Sequence, residues 1–202
     1  MKERSYQSIR GQLKTGDIVL FSGRGPISAG IKLATNSQWS HVGVVIVIPE
    51  YEFVCVWEST TLSNLSDLAT GEPVRGVQLV PLSERVNTYQ GNIAIRQLEG
   101  VDQGELNHEA LIQLRKELAG RPYEQRQLEL LRSAYDGPFG ANQECLSSIF
   151  CSELSAESYQ ALGLLNESLP SNEYTPADFS EAKNLTLTRG HLGPEIVISG
   201  LA

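Results

Sequence analysis

Phe150-Cys151-Ser152-Glu153-Leu154 is the stretch that decides how this 202-residue chain is read. After Cys151 the apolar positions Leu154, Ala161 and Leu162 recur at helical spacing, and Gly163 is a C′ stop, so a helix is predicted from Cys151 to Leu162. A thiol in the first turn of such a helix sits near the positive end of its dipole, which favours the thiolate. A thiolate that attacks carbonyls needs a base, and the chain has three histidines. One of them, His41 in Trp39-Ser40-His41-Val42-Gly43, opens the strongest strand signal of the sequence. His41 and Cys151 are therefore expected to meet as base and nucleophile.

Around that pair, composition narrows the classes. At 41% hydrophobic, the chain can bury a full core as one domain spanning 1–202. Twenty-four acidic against 16 basic residues give a formal charge of −8, with no Lys/Arg cluster, which argues against nucleic-acid partners and anionic lipid surfaces. The longest apolar run, Val42 to Ile48 interrupted by Gly43, is far short of the ~20 residues a membrane helix needs. Met1 to Gln12 shows no signal-peptide core, and three cysteines (Cys55, Cys145, Cys151) suit free thiols in a reducing cytoplasm. The histidines and cysteines show no CxxC or HxxxH spacing, and there is no GxGxxG or phosphate loop, so neither a metal nor a cofactor is expected.

The strands come mostly before the main helices, an α+β pattern. Strands are predicted at Ile18–Phe21, Val42–Ile48, Phe53–Trp57, Gly76–Leu82 and Asn92–Leu98, with short closing strands at Leu185–Thr188 and Glu195–Ser199. Helices are predicted after Pro26, over Glu105–Ala119 and Gln125–Tyr135, and after the Thr175-Pro176 cap. Asp136 to Asn142 reads as a loop. One hairpin carries a geometric inference. If Ile48 pairs with Phe53, His41 lies opposite Thr60, and Glu58 becomes its diagonal neighbour on the same face, roughly 7–8 Å away. Glu58 can then orient the imidazole, provided the register holds, because a one-residue slip turns it to the other face.

Each residue has a plainer reading. Cys151 alone reads as an inert buried thiol, His41 as a structural histidine and Glu58 as a solvated carboxylate. Cys55 reads as a packed core thiol, and Cys145, His108 and His191 receive no role. Trp39 and Trp57 flank His41 and Glu58 in sequence and either wall the site or pack in the core; Trp39 is the candidate substrate contact. The combination, not any single residue, carries the functional reading.

Taken together, Gly16-Asp17-Ile18-Val19, Ala34-Thr35-x-Ser37-x-Trp39-Ser40-His41-Val42-Gly43, Trp57-Glu58-Ser59, Gly120-x-Pro122-Tyr123 and Phe150-Cys151-Ser152-Glu153-Leu154 resemble the YiiX-like family, circularly permuted relatives of the NlpC-type papain-fold amidases. Tyr174-Thr175-Pro176-Ala177-Asp178 resembles a family tail motif, and the same segments more distantly resemble the lecithin:retinol acyltransferase group. Histidine before cysteine is the permuted order. Phe150 and Glu153 stand where ordinary NlpC enzymes carry Asp or Gly, which weakens any inference of cell-wall peptide specificity.

The resemblance implies a permuted papain-like fold, with a small antiparallel sheet or partial barrel packed against the nucleophile-bearing helix. It implies Cys151 as nucleophile, His41 as base and Glu58 as the orienting group, with Tyr123 lining the site. The expected activity is a cysteine hydrolase working through an acyl-enzyme on a small amide, a peptide-like amide or an acyl lipid. A lipid acyltransferase or thioesterase, an isopeptidase and a non-catalytic binding module are the alternatives. The oligomeric state is left open.

Overall fold

A computed structural model describes residues 2–121 and 142–200, with backbone alone at 27 and 142–150. Its centre is a seven-stranded sheet in the order β1-β9-β6-β2-β3-β4-β5. The strands are β1 (Lys2–Arg4), β2 (Ile18–Gly23), β3 (His41–Ile48), β4 (Phe53–Thr60), β5 (Gly76–Pro81), β6 (Gly91–Arg96) and β9 (Ile196–Ile198). All neighbours are antiparallel except β1 and β9. A separate two-stranded ribbon joins β7 (Leu98–Glu99) to β8 (His191–Leu192). The sheet is thus larger than the small one expected.

Alternation along the strands splits the core into two faces. Leu20, Val42, Val44, Ile46, Trp57 and Leu79 belong to one apolar cluster, and Val19, Phe21, Val45, Val54, Val56 and Val80 to the other. The first face is covered by α4 (His108–Leu118) and α5 (Asn142–Ala161), through residues such as Leu111, Leu154, Tyr159 and Leu162. The second is covered by α1 (Tyr6–Ile9) and α3 (Leu82–Thr88), through Tyr6, Ile9, Leu82 and Val86. A fifth helix, α2 (Pro26–Thr35), buries Ile31 and ends at Asn36 in the left-handed conformation.

Helix α5 ends as the sequence requires. Gly163 adopts φ +76, its N–H bonds to Gln160 O, and the Leu164 N–H bonds to Tyr159 O, which is a Schellman stop. Buried serines are tolerated in it because their hydroxyls bond within the helix or to a neighbour: Ser155 to Cys151 O, Ser158 to Leu154 O and Ser152 to Tyr174 O.

Its start is different from the expectation. The helix begins at Asn142, so Cys151 lies in its middle, not in its first turn. The dipole argument for a thiolate fails there, because that field is confined to the terminal turn.

Two further expectations change, and one helix is new. Thr175–Phe179 is a turn, held by Asp178 Oδ2 accepting from the Thr175 N–H and hydroxyl, and not a helix. Leu185–Thr188 forms no strand; the pairing falls on His191–Leu192 instead. Helix α3, which follows Pro81 directly, was not expected at all. Tyr123, the helix expected over 125–135 and the loop expected before Asn142 lie outside the described residues.

Candidate functional site

The hairpin of β3 and β4 sets the site. Ile48 pairs with Phe53 and the ladder runs in that register to Val44 and Trp57. The same offset carries His41 opposite Thr60 and leaves Glu58 as its diagonal neighbour. The two side chains close the gap: His41 Nε2 lies 2.6 Å from Glu58 Oε2. Gly43 leaves room for this, since a Cβ there would lie 2.7 Å from Val56 Cγ2 and 3.2 Å from Glu58 Cβ.

Glu58 is fully buried, and its second oxygen is also occupied. Arg85 Nε, from α3, donates to Glu58 Oε1 at 2.7 Å. Arg85 Nη1 donates to Asn64 Oδ1 at 3.0 Å, while Nη2 is buried with no hydrogen-bond partner among the described residues. Burial alone would push the Glu58 carboxyl up; the charge of Arg85 and then the hydrogen bond and charge of His41 hold it below the usual carboxylate value.

The imidazole also has Cys151 as a neighbour, whose charge and hydrogen bond act on the ring. Burial pulls the His41 pKa down, but the charge and hydrogen bond of Cys151 and those of Glu58 outweigh it and carry the ring up to about 10. Cys151 belongs to the α5 face of the core and Phe21, packed on the His41 ring at 5.1 Å between centroids, to the α3 face. The two faces therefore meet at His41, the first residue of β3.

The His41 side chain is 14% exposed and Cys151 is 0% exposed. A cleft of about 460 Å³ opens on His41 from the side of Ser28, Ser40, Thr60, Asn64 and Tyr89. Burial raises the Tyr89 phenol far above its usual range, so it stays a neutral hydroxyl. Cys151 does not line this cleft.

Of the residues expected from the sequence, the structure brings Cys151, His41 and Glu58 together. Trp39 goes elsewhere. It is 2% exposed, its Nε1 donates to Glu195 Oε1 at 2.8 Å, and it borders a different cavity with Glu181 and Glu195. The indole is packed in the core, with a partner for its one polar atom. Cys55 is a buried free thiol. Arg85, Asn64 and Tyr89 were missed. A buried arginine and an amide from a polar loop carry no signal in their sequence neighbourhood; only the β4–β5–α3 connection places them behind Glu58. Among the described residues, no group of three or more His, Cys, Asp or Glu could hold a metal ion, and no helix is long and apolar enough to cross a membrane.

No family model and no curated protein matches the chain. Among solved structures it is similar to yiiX from Escherichia coli O157:H7, described as a metalloprotein. The TM-score is 0.49 and the identity 21%, covering 94% of this chain and 98% of that one. Likeness at this level assigns neither family nor chemistry to the chain.

Proposed function

We propose that this chain is a cysteine-dependent hydrolase of the permuted papain-like type, acting on a polar amide. The observation that supports it is a single chain of contacts: thiol, imidazole, carboxylate. An inert core cysteine needs no imidazole, and a structural histidine needs no buried carboxylate held ionised behind it.

In this reading His41 takes the Cys151 proton and the thiolate attacks the carbonyl carbon. The resulting imidazolium returns the proton to the leaving amine as the C–N bond breaks. Water, deprotonated by His41, then attacks the thioester carbon, and the sulfur leaves with its proton restored. Glu58 fixes the ring and stabilises the imidazolium. Helix-terminal amides cannot serve as oxyanion donors at Cys151, because the residue is mid-helix. The hydroxyl and amide groups lining the cleft favour a polar amide over an acyl chain.

The buried sulfur favours a second reading, a binding module that keeps these contacts without turnover. One experiment separates them. The full chain is incubated with a panel of small chromogenic amides and thioesters, and the intact mass is followed. Amine release with an acyl adduct on Cys151, lost in Cys151→Ala and His41→Ala, supports the hydrolase. Folded protein that binds these compounds with no adduct and no release supports the module.

A further inference from the structure

Four groups neighbour one another in succession: Cys151, His41, Glu58 and Arg85. We infer that Arg85 is a positioning residue of the site, acting through Glu58 to set the protonation of the His41–Cys151 pair. This rests on the hydrolase reading and adds a fourth member to it.

The argument is one of charge balance in a buried place. Glu58 and Arg85 are both fully buried. A buried carboxylate is stable only when paired and hydrogen-bonded. Glu58 has one oxygen for each neighbour: Oε2 for His41 and Oε1 for Arg85. With thiolate, imidazolium, carboxylate and guanidinium present, the charges alternate along the series and sum to zero. Without the guanidinium the same series carries an excess negative charge away from water. The carboxylate is the group that would then take up a proton, and a neutral Glu58 gives the imidazolium no support.

Geometry adds to this. A guanidinium gives direction as well as charge, and Arg85 spends Nε on Glu58 and Nη1 on Asn64. Asn64 also lines the cleft on His41, so Arg85 ties the carboxylate to the wall that a substrate would touch.

The test is the rate of iodoacetamide alkylation at Cys151, read peptide by peptide by mass spectrometry between pH 5 and 10 on the full chain. Arg85→Met is expected to move the midpoint of the profile up by about one pH unit. Arg85→Lys, which keeps the charge, is expected to recover most of the shift. A folded Arg85→Met protein with the wild-type midpoint overturns the inference. If Arg85→Met does not fold, Glu58→Gln is compared with Glu58→Gln/Arg85→Met, which leaves no lone buried charge. Superimposable profiles support action through Glu58, and a further shift in the double variant overturns it. A wild-type profile unaffected by His41→Ala would instead overturn the hydrolase reading itself, a distinct result.

Discussion

His41 Nε2 and Glu58 Oε2 lie 2.6 Å apart at the open end of the β3–β4 hairpin, joining two residues on adjacent strands in one half-buried hydrogen bond. The charge and hydrogen bond of Cys151, and then those of Glu58, outweigh burial and carry this strand-end histidine up to about 10.

That shift has a thermodynamic sign. The folded-state value lies above the unfolded one of about 6.5. The stabilisation from this shift, to which Cys151 and then Glu58 contribute, is therefore complete below about pH 6.5 and is lost as pH rises through about 10. Urea unfolding at pH 6, 8 and 10 is expected to show a decline in the wild type that is shallower in Glu58→Gln. Parallel declines would count against the pairing.

Asp17 provides a second, independent titration. It is 1% exposed, and burial pushes its carboxyl up to about 7 even though the backbone N–H groups of Leu98 and Lys14 donate to its two oxygens. The folded value is again above the unfolded one, so stability from this group falls as pH rises from about 4 to about 7, by at most about 4 kcal/mol. Asp17→Asn is expected to flatten the dependence of unfolding free energy on pH in that window. An unchanged slope would show that the two backbone donors keep Asp17 ionised.

Gly43 is needed for its lack of a side chain, not for its backbone angle. A Cβ there would meet Val56 Cγ2 at 2.7 Å, Trp57 O at 3.1 Å and Glu58 Cβ at 3.2 Å. Gly43→Ala is expected to cost about 1–3 kcal/mol and to displace Glu58 from His41. Thermal unfolding measures the first effect, and a slower alkylation of Cys151 at neutral pH the second. A variant as stable and as reactive as the wild type would show that β4 yields freely.

Trp39→Phe separates packing from substrate contact. The change leaves Glu195 Oε1 without the indole donor, and a loss of about 1–3 kcal/mol is expected. Amide turnover per folded molecule is expected to stay at the wild-type level, because Trp39 does not border the cleft on His41. A selective rise in KM would return Trp39 to the substrate.

What could be read without coordinates was what short-range physics fixes. The β-branched run Val42–Ile48 with its Pro49 turn set the hairpin, and the hairpin set the register that brings Glu58 to His41, because alternation is a property of the strand itself. Gly163 likewise marked the end of α5. The start of α5 was misjudged, since a helix that extends into a stretch with loop-forming residues gives no local signal of where it begins. Three things were decided by tertiary structure alone: Arg85 behind Glu58, Trp39 against Glu195, and the burial of the Cys151 sulfur. Each depends on which surface packs over a residue from far along the chain, and pairing across that distance leaves no periodicity to read.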